Sequence, residues 1–204
     1  MTMTPAIAKR LIIGGMVAIG TLLILAFYLP AFRPDPNDNT VEGSAAIGGA
    51  FTLTDQTGVD VTEQILLGRY SLIYFGFTYC PDICPMTLQT VADAIDILPG
   101  QKGESVQAVF ITLDPKRDTV ETMSAYVRNF HSQMIGLTGT QEQIQAVADA
   151  YRVFFREAPI GESGDYTIDH SGFLYLMNRS GRYIDHFGKD VKMEELSARL
   201  RDLL

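Results

Sequence analysis

The chain has 204 residues, of which 47% are apolar, and it carries a formal net charge of −8 at pH 7. This length and composition allow one substantial hydrophobic core, so we expect a single domain with accessory segments. No run of lysine or arginine forms a patch that could follow a phosphate backbone, and we therefore expect no nucleic-acid partner. Two cysteines are too few for a disulfide framework in a domain of this size.

The N-terminal segment predicts a transmembrane helix. Residues 1–10 end in Lys9 and Arg10, and the following run, Leu11 to Leu29, contains no charged side chain. Such a run is long enough to cross the ~30 Å hydrocarbon core of a bilayer as a helix. A cleaved signal peptide would have a shorter apolar region of about 7–15 residues and a small-x-small cleavage site, which residues 27–30 do not offer.

The flanking charges give the orientation of this anchor. The positive-inside rule places residues 1–10 in the cytoplasm and exports the rest of the chain. We therefore expect a single-pass protein of the inner (cytoplasmic) membrane whose C-terminal domain lies in the periplasm, an oxidising compartment. Residues 30–47 are rich in Pro, Asp, Asn, Gly and Ser and predict a polar tether, which leaves residues 48–204 as the globular domain.

The first half of the domain predicts a strand–loop–helix–strand unit. Phe51–Thr54 and Val59–Val61 alternate around a turn signal, which predicts a small hairpin. Ser71–Phe77 and Val106–Leu113 are apolar runs typical of buried strands, and the helical periodicity of residues 86–98 places a helix between them. A helix that connects two buried strands favours a parallel pair with a right-handed crossover.

The second half of the domain adds further helices and strands. Asp118 with Glu121 and Thr140 with Gln143 have the spacing of capping boxes, and each pair predicts the start of a helix. The summed pattern is an α/β domain with a mixed central sheet flanked by helices. The remaining predicted elements are a short strand at Ile135–Leu137, a loop at Pro159–Asp165, an antiparallel hairpin of Phe173–Met177 with Arg182–Phe187, and a terminal helix with an apolar stripe from Met193 to Leu203.

The two cysteines, Cys80 and Cys84, lie between the first buried strand and the helix that follows it. A near-helical conformation would place residues i and i+4 on one face, within about 6 Å of each other. That separation suits a structural disulfide, a reactive dithiol or two thiolates on one metal ion. A disulfide across so short a loop restricts few unfolded conformations, whereas the positive end of the helix stabilises thiolates and favours reactivity.

Metal binding requires a further ligand, because the chain has only these two cysteines. No finger-like spacing indicates tetrahedral zinc, and two soft thiolates with one imidazole form the ligand set expected for copper. His131 follows an amphipathic helix and His186 alternates within a strand, which predicts helix-end, packing or surface roles for both. His170 lies directly after the predicted loop, where ligands are commonly presented, and is the candidate third ligand.

Two acidic residues are further candidates. Asp82 lies between the cysteines, where the simpler interpretation is a turn formed by an Asx hydrogen bond. Asp114 ends the second core strand, where the simpler interpretation is a strand-to-helix turn. The functional interpretation places the Asp114 carboxylate at the carboxyl edge of the sheet, beside the cysteine loop, where α/β sheets bind ligands.

Four segments together resemble the Sco/SenC family, whose members are thioredoxin-like copper proteins that help assemble the copper A centre of cytochrome c oxidase. The resemblance covers residues 47–204, and the segments occur in the family's order. The N-terminal anchor and the polar tether also match the usual arrangement of the family. The four segments are residues 48–55 (GGAFTLTD), 74–85 (YFGFTYCPDICP), 113–119 (LDPKRDT) and 169–171 (DHS).

The resemblance implies a thioredoxin-like fold in which Cys80, Cys84 and His170 bind copper as Cu(I) or Cu(II). Asp82 and Asp114 map onto acidic positions near the family's site, where they would support the ligands or face a partner. The implied protein is a membrane-anchored copper chaperone that delivers copper to the copper A domain of a cytochrome c oxidase subunit. Its further partners would be an upstream periplasmic copper donor and a thioredoxin-like thiol reductant.

Two other activities remain open from the residues. The first is a thiol–disulfide oxidoreductase that uses the redox-active pair Cys80 and Cys84 to reduce the cysteines of the oxidase subunit or of another partner. The second is a thiol peroxidase, in which Cys80 would attack peroxide and Cys84 would resolve the product. His170 discriminates between these classes, because a copper carrier needs it and a pure dithiol exchanger does not. Neither motif establishes catalytic turnover.

Overall fold

The computed structural model describes residues 47–160 and 165–204. The predicted cytoplasmic segment, the anchor at residues 11–29 and the tether up to residue 46 lie outside these residues and stay predictions. Among the helices of the two described ranges, none is long and apolar enough to span a membrane.

The described elements are nine strands and four α-helices, with short 3-10 helices at Glu63–Leu66 and Gly100–Ser105. The strands are β1 (Thr52–Asp55), β2 (Asp60–Thr62), β3 (Tyr70–Gly76), β4 (Val106–Thr112), β5 (Met134–Thr138), β6 (Phe155–Ile160), β7 (Asp165–His170), β8 (Leu174–Met177) and β9 (Tyr183–Phe187). The α-helices are α1 (Ile83–Asp96), α2 (Val120–Val127), α3 (Gln141–Ala150) and α4 (Met193–Leu203).

Two parallel strands, β3 and β4, form the centre of the domain, and every residue in both strands is buried. The pairing runs from Tyr70 opposite Val106 to Gly76 opposite Thr112. Continuous apolar runs of this kind are typical of parallel strands that are covered on both faces. The parallel pair and the helix between its strands confirm the predicted strand–loop–helix–strand unit.

The main sheet has seven strands in the order β2-β1-β5-β4-β3-β8-β9. β5 pairs in parallel with β4, whereas β1 and β8 pair antiparallel with β5 and β3. α1 packs against α4, and α2 packs against β5. The mixed sheet with its helices confirms the predicted α/β architecture, and the β1–β2 and β8–β9 hairpins confirm the predicted antiparallel pairs.

The loop predicted from Pro159 to Asp165 is wrong at both ends. Pro159 and Ile160 belong to β6, Asp165 begins β7, and the two strands form a separate two-stranded antiparallel sheet; residues 161–164 lie outside the described residues. No residue of β6 is buried and Ile168 is the one buried residue of β7, so the apolar alternation that marks a half-buried strand is short and confined to β7. His170 is consequently the last residue of a strand instead of a residue that follows a loop.

The starts of α3 and α4 agree with prediction, and those of α1 and α2 differ from it. α3 begins with the predicted capping box at Thr140. α1 begins at Ile83, earlier than the apolar periodicity indicates. The capping box predicted at Asp118 is wrong, because Thr119 caps α2 and its hydroxyl accepts a hydrogen bond from the Thr122 amide at 3.3 Å. Thr119 offers an equally good capping oxygen one position later, which leaves the Asp118 carboxylate to make buried contacts.

Candidate metal centre

The two cysteines lie where the chain leaves β3 and enters α1. Cys80 is half-buried in the turn between these elements, and Cys84 lies in the first turn of α1 with 0% exposure. The Cys84 amide donates a hydrogen bond to Cys80 Sγ at 3.5 Å. Both residues are free thiols, so the structure represents the reduced dithiol.

The two thiols differ strongly in proton affinity. A hydrogen bond from the Cys84 thiol, together with the amide donors of Asp82 and Cys84, holds the pKa of Cys80 well below its usual range despite partial burial. The same hydrogen bond to Cys80, reinforced by burial, raises the pKa of Cys84. Of the two thiols, Cys80 is therefore the one that ionises first, and Cys84 keeps its proton to higher pH.

His170, at the end of β7, faces this dithiol. Its Nε2 atom is 4.0 Å from Cys84 Sγ, and its Nδ1 atom is 3.0 Å from the carbonyl oxygen of Ser171. A proton on Nδ1 donates to that carbonyl and leaves the lone pair of Nε2 on the side of the sulfur. The imidazole also packs edge-on against the rings of Tyr74 and Phe77, with centroid distances of 6.2 Å in both cases. The structure thus brings together the three ligands predicted from sequence.

One of the three pairs of donor atoms, Cys84 Sγ and His170 Nε2, has a separation that a shared metal ion allows. Taking the bond lengths of zinc as a guide, about 2.0 Å to nitrogen and about 2.3 Å to sulfur, two donors on one ion lie at most about 4.3 Å apart. The 4.0 Å between Cys84 Sγ and His170 Nε2 is within that limit. Within residues 47–160 and 165–204, however, no three His, Cys, Asp or Glu side chains already stand in positions that could hold an ion. The half-buried Cys80 has the most room to adjust.

Gly76 allows the Cys84 sulfur to lie against the end of β3. A Cβ atom built on Gly76 would lie 2.7 Å from Cys84 Sγ, 3.0 Å from a ring carbon of Phe110 and 3.3 Å from a ring carbon of Tyr74. Contacts between Cβ and other heavy atoms at 2.7 Å do not occur without a shift of one partner. The absence of a side chain at this position is therefore a condition for the observed place of the sulfur.

The segment between β3 and α1, residues 77–82, contains Cys80 and is called the cysteine turn below. A buried carboxylate fixes the position of this turn. Asp118 accepts hydrogen bonds from the Thr78 amide at 3.0 Å, the Thr78 hydroxyl at 2.5 Å and the Thr112 hydroxyl at 2.5 Å. Thr78 follows β3 and Thr112 ends β4, so Asp118 connects the carboxyl ends of the two central strands. Sequence analysis missed this role because it assigned Asp118 to a helix cap, and only the run of residues 113–119 pointed to this segment.

The two acidic candidates have different surroundings. Asp114 is only 2% exposed, and its carboxylate pairs with Arg117 and accepts a hydrogen bond from the Tyr166 hydroxyl at 2.8 Å. Its carboxylate therefore contacts the β6–β7 hairpin through Tyr166 and its own segment through Arg117. Asp82 is exposed at the N-cap of α1, and its side chain makes no capping hydrogen bond there.

The remaining histidines have other partners. His131 Nδ1 accepts a hydrogen bond from the Gln133 amide at 3.1 Å, and its Nε2 lies 3.2 Å from an oxygen of Asp96. His186 Nδ1 lies 2.6 Å from the Tyr183 hydroxyl on β9. These contacts agree with the helix-end and packing roles predicted for them.

Several large apolar side chains are exposed near the dithiol and His170. Tyr79 precedes Cys80, and Met86 follows Cys84 in α1. Phe154 exchanges hydrogen bonds with Ser171, the neighbour of His170, and the exposed Phe173 lies at the start of β8. Exposed apolar side chains grouped around a site are typical of a surface that contacts another protein.

Two kinds of chemistry are open to this arrangement. Two sulfurs and an imidazole nitrogen form a donor set for a soft or borderline metal ion such as copper. The same two sulfurs, one ionised and one protonated, also have the state from which dithiol–disulfide exchange proceeds. Metal binding requires both sulfurs to be reduced and deprotonated, so the two chemistries exclude each other at any one moment.

Replacing Gly76 by alanine should displace the Cys84 sulfur and lower the free energy of unfolding. The expected loss is about 1–3 kcal/mol, the range for methyl groups added to a packed interior. Urea denaturation followed by circular dichroism measures it. Gly188→Ala is the matched control, because a Cβ there meets no atom within 4 Å. Equal free energies for wild type and Gly76→Ala would contradict the close contact.

Alkylation of the reduced protein should report the lowered pKa of Cys80. The thiolate is the reactive form, so the rate at Cys80 should stay near its maximum at neutral pH and fall only well below the usual thiol pKa of about 8.5. Cys84→Ala removes the thiol donor, and its profile should therefore move to higher pH. Rates of iodoacetamide reaction, located by peptide mass spectrometry, measure both profiles. Identical profiles would show that Cys84 does not stabilise the thiolate.

Comparison with known proteins identifies the family of the chain. The SCO1/SenC family model matches residues 39–204. A SCO2-like protein of Rickettsia prowazekii is 41% identical over 199 residues, which cover 96% of this chain and 97% of the relative. Two copper-bound ScoI structures match with a TM-score of 0.72. The one from Arabidopsis thaliana is 41% identical, and the match covers 78% of this chain and 98% of the ScoI chain. The one from Bradyrhizobium japonicum is 42% identical, and the match covers 78% of this chain and 100% of the ScoI chain. The thioredoxin-like fold is confirmed, and the chain belongs to the SCO1/SenC family.

Proposed function

We propose that this protein is a membrane-anchored copper chaperone that delivers copper to the copper A centre of cytochrome c oxidase. The observation that carries the proposal is the convergence of Cys80, Cys84 and His170 at one end of the sheet. Two soft sulfurs and one imidazole suit copper better than they suit a hard cation. The Sco family is a family of cytochrome c oxidase assembly proteins, and relatives of the same fold hold copper.

The proposed location is the inner membrane, with residues 1–10 in the cytoplasm and the domain in the periplasm. The apolar length of residues 11–29 and the charges of Lys9 and Arg10 support it. In this oxidising compartment a disulfide between Cys80 and Cys84 would remove both sulfur ligands. A thioredoxin-like reductant is therefore part of the proposal, together with a periplasmic copper donor.

Each of the three ligands has a distinct task in the proposed site. The Cys80 thiolate is half-buried and meets incoming copper first, and Cys84 releases its proton when it binds. The hydrogen bond between His170 Nδ1 and the Ser171 carbonyl keeps Nε2 available, a common arrangement for histidines that bind metals.

The proposed acceptor, the copper A domain of an oxidase subunit, docks on the exposed apolar residues around the site. Tyr79 and Met86 flank the cysteines, and Phe154 and Phe173 lie near His170. Direct ligand exchange between two proteins requires their metal sites to meet, so a contact surface has to surround the ligands. Exposed aromatic and thioether side chains are enriched in such surfaces.

Copper titration of variants tests the three-ligand site. His170→Ala should weaken Cu(II) binding to the reduced chain at least about tenfold, or about 1.4 kcal/mol, and alter the thiolate-to-Cu(II) charge-transfer band. Cu(I) binding should change less, because soft thiolates are the preferred ligands of Cu(I). The matched control is His186→Ala, which removes an exposed histidine of β9. A His170→Ala protein with wild-type Cu(II) affinity and spectrum would refute the three-ligand site.

The second candidate function is a thiol–disulfide oxidoreductase that reduces the cysteines of the oxidase subunit. The unequal thiols favour it specifically, since a half-buried thiol of low pKa beside a buried thiol of high pKa is the arrangement of an attacking and a resolving cysteine. His170 has no required task in this reaction. The two functions therefore make different demands on the same three residues.

Deletion of the gene separates the two functions. Added copper should restore oxidase activity to the deletion strain if the protein delivers copper, and His170→Ala should fail to complement at limiting copper. Oxidase activity assayed in membranes is the measurement. Restoration by an added thiol reductant, without any effect of copper, would instead favour the oxidoreductase.

A further inference from the structure

The β6–β7 hairpin, which carries His170, forms a sheet of its own beside the seven-stranded sheet. Tyr166, Ile168 and His170 alternate along β7, so their side chains lie on one face. Ile168 on this face is buried in the core. Because a separate sheet takes its position from side-chain contacts, the contacts of this face decide where His170 lies.

Tyr166 makes a dense set of contacts with the segment that follows β4. The Arg117 guanidinium lies 3.8 Å from the centroid of the Tyr166 ring, and Nη1 donates to the Tyr166 carbonyl at 3.0 Å. The Tyr166 hydroxyl donates to Asp114 Oδ1 at 2.8 Å, and Arg117 Nε pairs with the same carboxylate. Asp114, Arg117 and Tyr166 thus form a closed cluster in which each residue contacts the other two.

The contacts within this cluster are suited to fix β7 relative to the segment that follows β4. Asp114 is 2% exposed, and a buried carboxylate that loses one of its partners is strongly destabilised. The planar guanidinium of Arg117 combines stacking with directed hydrogen bonds, which lysine cannot reproduce. Arg117 also lies 4.9 Å from the ring centroid of Tyr79 and 5.9 Å from that of Phe77, both in the cysteine turn. The cluster therefore contacts both parts of the site.

We propose that the Asp114–Arg117–Tyr166 cluster positions His170 over the cysteines and so sets the affinity of this protein for Cu(II) relative to Cu(I). The inference rests on the proposed copper site. Tyr166 and Arg117 are positioning residues, since they act through the hairpin and do not themselves bind the ion. The hydrogen bonds from Thr78 to Asp118 support the cysteine turn independently of Tyr166, so the two sulfurs should keep their place when the contacts of Tyr166 are lost and the hairpin loosens.

The expected effect follows from the fraction of molecules that hold His170 in place. When only a fraction of the protein is competent to bind, the apparent dissociation constant rises by the inverse of that fraction. Cu(II) binding depends on the imidazole, whereas two thiolates suffice for Cu(I). Loosening the cluster therefore weakens Cu(II) binding selectively.

Tyr166→Leu in the reduced full chain, solubilised in detergent, tests the proposal. If the fraction of molecules that hold His170 over the cysteines falls to about one tenth, Cu(II) affinity should weaken about tenfold. Cu(I) affinity should stay within about twofold of wild type. Hydrogen–deuterium exchange of the metal-free chain provides a second readout, and the amides of β6 and β7 should exchange faster while those of β3 and β4 do not change. Arg117→Lys should act in the same direction and serves as the second variant if Tyr166→Leu does not fold.

Glu157→Gln is the matched control. It removes the 2.6 Å ion pair with Lys116, which joins the same two segments, but the two side chains are 50% and 60% exposed. Exposed ion pairs contribute little to stability, so this variant should keep wild-type affinities and exchange rates.

Three results would overturn the role of the cluster. The first is wild-type Cu(II) affinity in both Tyr166→Leu and Arg117→Lys. The second is an unchanged rate of amide exchange in β6 and β7. The third is an equal loss of Cu(I) and Cu(II) binding, which would indicate a purely structural effect. His170→Ala separates this failure from failure of the proposed site. If His170→Ala loses Cu(II) and the cluster variants do not, the cluster proposal alone fails. If His170→Ala also binds normally, the copper site itself is wrong.

Discussion

The buried carboxylate of Asp118 is the constraint on which the site depends. It accepts two hydrogen bonds from Thr78, at the start of the cysteine turn, and one from Thr112, at the end of β4. Burial raises the pKa of this group, and the donors around it offset the loss of hydration. Because Asp118 connects the ends of the two central strands, the position of the cysteine turn is set by the core of the domain.

The third donor is held by a different part of the molecule. His170 ends a two-stranded sheet that stands apart from the main sheet, and few of the residues in that hairpin are buried. Elements with few buried apolar contacts open locally at lower free energy than the core does. The site therefore combines a sulfur pair tied to the most stable strands with an imidazole on an element that opens independently, and a bound ion would stabilise the hairpin by mass action.

Sequence patterns predicted the core strands and the residues that meet at the candidate site better than they predicted the contacts that hold those residues in place. The apolar runs of β3 and β4 gave their pairing, and the four segments that resemble the family pointed to Cys80, Cys84 and His170. The hairpin was missed because it buries only Ile168, which leaves too little apolar periodicity to mark two strands. Asp118 was assigned to a cap because local spacing contains no information about its distant partner Thr78. The pairing of Arg117 with Tyr166 is equally non-local.

The unequal burial of the two sulfurs would give the proposed metal transfer a direction. Cys84 has no exposed surface and its sulfur lies against Gly76 at the end of β3, whereas Cys80 is half-buried in the turn before α1. Cys80 is therefore the more accessible of the two sulfurs for a donor atom from another protein. In the proposed transfer the buried sulfur of Cys84 would release the ion after Cys80 does, so the ion would keep a protein ligand during its passage.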